Sequence, residues 1–189
     1  MDVPRTEINK ILQKCNDRTA KTYHFKETDW YHHSQMGLLI GQTYYRESRT
    51  GLHLQHSSGR MFSRLLGAGL GAGVGVFDGQ GNIPATYSVF AEMRGYLLPQ
   101  RITPFYALAG GWGFVGKIDD DNWGWNETWK GGWMAQATVG YRIGNNFTVQ
   151  AGFRLQHTRR ELESNWWGVE SRTDRILHKR LMLGLGLLL

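Results

Sequence analysis

His56 and Ser58, in the run QHSSG, stand two residues apart, a spacing that puts an imidazole and a hydroxyl on one face of a strand. A serine hydrolase needs such a pair in hydrogen-bond reach, with a carboxylate to orient the base. The alternative is a strand end that happens to be polar. GAGLGA (Gly67–Ala72) fits the GxGxxA fingerprint of dinucleotide binding. That loop requires a helix directly after it, and FDGQGNIP follows instead, so no cofactor is expected. DDDNWG (119–124) opens like a calcium loop, but Trp123 and Lys130 occupy the fifth and twelfth positions, where oxygen ligands are needed. A solvated loop tip is the expectation there. His24, His32 and His33 lie in AKTYHFKETDWYHHS without regular ligand spacing, so this stretch reads as a solvated linker and no metal site is expected.

The elements that position these residues follow from a period of two. Glycine recurs at 67, 69, 71, 73 and 75, with Leu66, Ala68, Leu70, Ala72, Val74 and Val76 between. This is a strand with one apolar and one bare face. WMAQATVGYRIG (133–144) and FTVQAGFRLQ (147–156) place apolar residues at odd positions and polar ones at even positions, and RLMLGLGLLL repeats the pattern to Leu189. Eight strands are predicted, at about 36–46, 52–58, 65–77, 86–98, 102–115, 133–144, 147–160 and 175–189. Tight connections (59–63, 99–101, 145–146) mostly alternate with longer ones (78–84, 117–132, 162–174). That rhythm describes an up-and-down antiparallel sheet, and eight strands suffice to close it.

Composition decides which face looks where. The 189 residues include 25 glycines and 24 aromatics, eight each of Trp, Tyr and Phe, with one cysteine and therefore no internal disulfide. Mean hydropathy is −0.44, yet a transmembrane barrel averages out as polar because lipid-facing and lumen-facing residues alternate. The apolar set runs over about ten residues per strand, the span of a tilted membrane strand. The other set carries Glu92, Arg94, Arg142, Arg154 and Arg180 among glycines. Trp112, Phe114, Trp133, Tyr141 and Phe147 sit near strand ends, as an aromatic girdle requires. The expected fold is all-β: an eight-stranded antiparallel up-and-down transmembrane β-barrel over 36–189. A short N-terminal periplasmic segment, 1–35, precedes it, with a helix capped by Thr6. The bare face of 67–75 is expected to face the lumen and leave room for Phe105, Arg142 and Arg154. The runner-up, a soluble cup around a ligand, needs large apolar residues inside, and glycine and arginine do not supply them.

LQHSSGRMFSRLLGAGLGAGVG, followed by YSVFAEMRGYLLPQRITPFYALAGGWGF, resembles the outer-membrane β-barrel proteins of the Bacteroidota, which are similar in architecture to the OmpX and OmpA barrels. The lead-in INKILQKCND looks like a tether following a periplasmic domain. The resemblance implies an outer-membrane location, and with tight turns inward both termini are expected in the periplasm. Met1 opens into DVPRTEINK without a signal-peptide pattern, so an exported form is expected to be mature or truncated. The His56-x-Ser58 pair is also similar to the His-x-Ser of lipid A deacylases, although there the pair lies late in the chain.

Glu92, Arg94, Arg142, Arg154 and Arg180 form the expected lumen charge cluster, with at least one arginine on Glu92, because unpaired charge in a narrow interior is costly. The cluster serves as a plug or as a gated pore, and an eight-stranded barrel favours the plug. Arg159, Arg160, Arg172, Arg175 and Lys179 gather near the outer ends of the last two strands, where they meet lipopolysaccharide phosphates or form a solvated rim. The net charge of +6 admits anionic partners. Nucleic acid is not expected, since the aromatics form no stacking platform among basic residues. The expected role is a non-enzymatic structural or interaction protein in outer-membrane lipid and lipopolysaccharide, as a subunit of a larger envelope complex. The alternatives are a lipid A-type hydrolase using His56 and Ser58, or a small-solute pore.

Overall fold

The computed structural model describes residues 28–42, 48–77, 85–115, 125–164 and 172–189. The predicted helix after Thr6, His24 and the DDDNWG loop lie outside the described residues. Strands β1 (Trp30–Gln42), β2 (Ser48–Met61), β3 (Gly67–Phe77), β4 (Thr86–Tyr96) and β5 (Ile102–Val115) pair each with the next, antiparallel. β6 (Trp125–Lys130) and β7 (Gly132–Ile143) are two lengths of one stave interrupted at Gly131, and both pair with β8 (Phe147–Ser164). β7 also pairs with β5, β8 pairs with β9 (Arg172–Leu188), and β9 returns to β1. The sheet is therefore a closed antiparallel barrel of eight staves. Closure leaves no open edge around the barrel, although β6 pairs on one side only, with β8.

The register fixes the tilt. From Gly41 the hydrogen-bonded row runs through Arg180, Arg154, Gln136, Ala109, Glu92, Gly69 and Gly59, and meets β1 again at Tyr31. It returns ten residues from where it began, from 41 to 31, so the strands are strongly staggered. Tight turns at 62–66, 97–101 and 144–146 gather at one end, called here the turn end. Both ends of the barrel wall lie there too, since His32 and Leu189 exchange backbone hydrogen bonds of 3.0 and 2.8 Å. The opposite end is the loop end. The 144–146 turn opens on Gly144 at φ 67°, a left-handed conformation that favours glycine.

The outside of the wall is apolar. Met36, Leu54, Leu70, Val89, Leu108, Val139, Phe153 and Leu183 all face outward and are exposed. Trp30, Tyr141 and Phe147 ring the turn end, and Trp112, Phe114 and Trp133 ring the loop end, all exposed. Inside are Gln35, Gln55, Gln136, Gln150, Gln156, Thr103, Thr138 and Thr148, all buried. An outward apolar band between aromatic belts, around a polar interior, is the layout of a barrel that crosses a bilayer.

Several boundaries differ from the sequence expectation, β8 running on to Ser164 and β9 starting at Arg172 among them. β1 starts at Trp30, six residues before 36, so His32 and His33 belong to the wall and not to a linker. The alternation is present there, but both members of each pair are polar or aromatic, and a hydropathy pattern does not register it. β2 extends to 48–61, beyond the predicted 52–58; its inward positions from Gly51 to Gly59 are polar or glycine, a pattern that hides a strand, and it ends on inward Met61. Residues 125–130, expected in a loop, prolong the β7 stave.

Candidate functional site: the barrel lumen

The bare face of β3 points inward as expected, but different side chains occupy it. A Cβ at Gly71 would lie 2.5 Å from the Phe90 ring and one at Gly69 would lie 2.6 Å from the Tyr31 hydroxyl. At Gly67 it would meet the Met61 sulfur, and at Gly73 it would lie 2.7 Å from Gln55 Cγ. The space expected for Phe105, Arg142 and Arg154 is thus taken by neighbours of β3 in the register, Met61 and Gln55 from β2 and Phe90 from β4, and by Tyr31 from β1. Short lateral reach decides this: a cross-strand neighbour is about 5 Å away, whereas the opposite wall is a lumen's width off.

The five expected lumen charges occupy three levels. In the turn-end half, Arg94 is 1 % exposed and its Nε lies 3.0 Å from Glu92 Oε1. The same carboxylate oxygen is approached by the Tyr31 hydroxyl at 3.4 Å and the Ser57 hydroxyl at 3.3 Å. The guanidinium stacks over the rings of Tyr31 and Phe105, 5.2 and 5.5 Å from their centroids. Its Nη2 donates to His33 Nδ1 at 2.7 Å. A guanidinium only donates, so His33 Nδ1 is an acceptor and Nε2 carries the proton, which it gives to Thr148 Oγ1 at 3.0 Å. Side chains of β1, β2, β4, β5 and β8 thereby meet in one knot across the lumen. Above it Gln35 donates to Gln55 at 2.5 Å and accepts from Gln150, an amide layer from β2 to β8.

Arg142 does not join this group. It sits at the turn-end mouth, where Nη2 donates to the Asn145 carbonyl at 3.1 Å and the guanidinium lies 5.4 Å from the Tyr96 ring centre. A cavity of about 280 Å³ opens there between Asp29, Tyr31, Tyr96, Arg142, Asn146 and Leu188. Arg154 and Arg180 face each other in register between β8 and β9, toward the loop end from the knot. Arg180 contacts His178 Nδ1 at 3.4 Å, and His178 Nε2 meets Thr158 Oγ1 at 2.9 Å.

His56 and Ser58 face outward, on the membrane side of β2, toward its turn end. The hydroxyl bonded to His56 is that of Ser34, 2.9 Å from Nδ1, and His32 stacks on the imidazole at 6.2 Å. Sequence spacing singled out Ser58; antiparallel pairing brings Ser34, directly opposite His56, instead. No carboxylate is hydrogen-bonded to His56 among the described residues.

Of the basic set near the loop end, Arg159, Arg175 and Lys179 face outward, with Arg159 opposite Arg175 in the register. The side chains of Arg160 and Arg172 lie outside the described residues. Glu161 joins this set, bridging Lys130 Nζ at 2.6 Å and Arg159 Nε at 3.0 Å. It holds its carboxyl below the usual carboxylate range, chiefly through the Lys130 hydrogen bond and then the charges of Lys130 and Arg159. Sequence reasoning overlooked Glu161 and Thr148, and it read His33 as a linker residue and Lys130 only as a position that spoils a calcium loop. The even-position rule that picked out Arg154 also selects Thr148.

No family model matches the chain, and no curated protein matches it in sequence. Among solved structures it is similar to the outer membrane protein OprG from Pseudomonas aeruginosa, at 14% identity and TM-score 0.56, covering 88% of this chain and 98% of that one. It is likewise similar to the N-terminal β-barrel domain of Pseudomonas aeruginosa OprF, at 11% identity and TM-score 0.53 over 87% of this chain and 100% of that one. Neisserial surface protein A (NspA) aligns at 13% identity and TM-score 0.53, over 84% of this chain and 96% of that one. The chain therefore has the fold of the small transmembrane barrels of outer membranes.

Proposed function

We propose that this chain is a non-enzymatic outer-membrane barrel, closed to solute flow, whose role is structural or lies in contacts made by its ends and rim. The observation that carries the reading is the knot of Tyr31, His33, Glu92, Arg94, Phe105 and Thr148, which spans the lumen on buried side chains. Its location rests on the apolar band between two aromatic belts and on the fold shared with outer-membrane barrels. With tight turns facing the periplasm, the turn end, Trp30 and Leu189 lie on that side. The segment before Trp30 then enters from the periplasm, a position suited to contact with other envelope proteins. At the outer surface Arg159, Arg175 and Lys179 offer cations to lipopolysaccharide phosphates. The glycine-alternating strand and the VFAEMRGYLL run favour a Bacteroidota origin.

Planar bilayers test the closed state. The refolded barrel, verified by a heat-dependent shift on cold and boiled gels, is expected to insert without discrete conductance steps. Steady ion-conducting steps from the wild-type protein would replace the plug with a small-solute pore.

A further inference from the structure

On one side of the barrel the lipid-facing wall is polar where its neighbours are apolar. His32 and Ser34 of β1 and His56 and Ser58 of β2 all face outward, with His32 directly opposite Ser58 and Ser34 opposite His56. The four form one compact patch. Ser34 is bonded to His56 Nδ1, and the two imidazoles stack with centroids 6.2 Å apart. The His32 ring, the Ser58 hydroxyl and the second nitrogen of His56 have no hydrogen-bond partner among the described residues.

The patch reaches into the apolar band. His56 stands four residues from Arg60, about 13 Å along β2, and Arg60 pairs with Trp30 of the turn-end belt. The next outward residue beyond His56 is Leu54. At comparable depth the other six staves present Leu70, Ala91, Leu108, Val139, Val149 and Leu185 to the outside. An acyl chain offers neither donor nor acceptor. Imidazoles and hydroxyls at this depth are therefore costly unless another polar surface covers them.

We infer that a second copy of this chain covers the patch, through an isologous contact of β1 and β2 within the membrane. Inserted barrels share one orientation, so the two-fold axis runs along the membrane normal. It brings β2 of each copy against β1 of the other, and so sets His56 and Ser58 against Ser34 and His32. A hydroxyl and a neutral imidazole each donate and accept, so the patch complements itself. At its turn-end edge the same axis sets Arg60 of one copy against Trp30 of the other, a cation–π pairing. Strands tilted by about 40° cross those of the facing wall at about 80°, which confines contact to a patch and not a whole stave. Ala68 and Ala72 of β3, opposite Arg60 and His56, let the walls come close. The inference rests on the membrane-spanning wall and is independent of whether the lumen is closed.

The test uses the full chain refolded into phosphatidylcholine vesicles and labelled at Cys15, its one cysteine, with donor or acceptor dyes. Energy transfer between mixed copies is expected, falling on dilution with lipid as a monomer–dimer equilibrium requires. His56→Leu should weaken the association about tenfold or more, since the two-fold doubles each lost hydrogen bond. Val139→Ala, on the opposite wall, should leave it unchanged. Leucine suits a lipid-facing position, so His56→Leu is expected to keep the heat-dependent gel shift. Ser34→Ala with Ser58→Ala is the second variant should it not. Wild-type protein that stays monomeric at every dilution would overturn the inference and leave the patch to a different membrane protein. Folded His56→Leu protein that associates as tightly as wild type would overturn it too, as would an equal loss with Val139→Ala.

Discussion

Arg94 donates to His33 across 2.7 Å, and that contact fixes the imidazole as the neutral tautomer that donates onward to Thr148. The same order of groups recurs nearer the loop end, where Arg180 meets His178 and His178 meets Thr158. Both threonines sit on β8. In each case a histidine passes the donor character of an arginine to a hydroxyl on another strand. Replacing His33 by Phe removes both bonds and strands the buried Arg94 Nη2. The loss expected is about 1–3 kcal/mol, the cost of a buried polar group left unmet. Urea unfolding of the detergent-refolded barrel, followed by tryptophan fluorescence, measures it; an unchanged midpoint would mean the contact contributes nothing.

Glu92 carries more. It accepts from Arg94, Tyr31 and Ser57, and it is the carboxylate that offsets a guanidinium with only 1 % exposure. Glu92→Ala leaves that cation in the interior without its counter-charge and should cost about 3–5 kcal/mol. Replacing the pair together, Glu92→Leu with Arg94→Met, should cost clearly less, because the desolvation of both ions disappears with their attraction. A double variant as unstable as the single one would show that packing at these positions, and not charge, holds the knot.

Much of this architecture was legible in the chain because a membrane strand writes its two faces into alternate residues. β3, β7 and β8 could be placed to within a few residues from Gly67, Trp133 and Phe147 onward. β1 was legible only in part. In Trp30–Gln35 the outward residues include His32 and Ser34 and the inward ones His33 and Gln35, so polarity does not alternate although geometry does. The inward set around Glu92 and Arg154 could be listed from parity alone. Which of them touch could not, because contact depends on the stagger: register puts Arg180 beside Arg154 and leaves Arg142 at the mouth. Ser34 escaped notice for the same reason, since its place opposite His56 is a fact of pairing and not of spacing.

The Lys130–Glu161–Arg159 bridge lies beyond the loop-end belt, two outward positions past His157, which stacks on Trp133. Glu161 has a folded-state pKa below its unfolded value, so its contribution is fully present above the unfolded value of about 4.3 and fades as pH falls through the folded one. The bridge is exposed, and screening keeps its effect small and local. Hydrogen-exchange protection of the β6–β8 amides, corrected for intrinsic rates, should therefore drop on acidification below about pH 4. Glu161→Gln should show low protection at every pH. If wild type and variant share one pH profile, the bridge does not hold this extension.

Two glycines on the same barrel should respond oppositely to one methyl group. At Gly71 a Cβ would fall 2.5 Å from the Phe90 ring and 2.7 Å from the His56 carbonyl, whereas at Gly110 nothing lies within 4 Å. Gly71→Ala must push the ring or bend the wall and should destabilise by about 1–3 kcal/mol. Gly110→Ala should be neutral or slightly stabilising, since alanine narrows the unfolded ensemble. Equal effects on the unfolding midpoint would mean that Phe90 does not rest on the bare face of β3.

The membrane assignment itself turns on Leu54. It faces outward on β2, 56 % exposed, paired with Met36 and Val74 and far along the strand from Arg60, which pairs with Trp30 of the turn-end belt. In water an exposed leucine tolerates arginine, with changes usually within about 0.5 kcal/mol. At the middle of a bilayer the same substitution should cost about 2–4 kcal/mol, because the guanidinium must either leave water or deform the lipid. Leu54→Arg should therefore fold poorly into phosphatidylcholine vesicles, while Arg60→Leu, at the interface, should fold as wild type does. Folding yields and unfolding free energies in vesicles, read by gel shift, separate the two. A Leu54→Arg barrel as stable as the parent would mean that this wall meets water or another protein and not hydrocarbon.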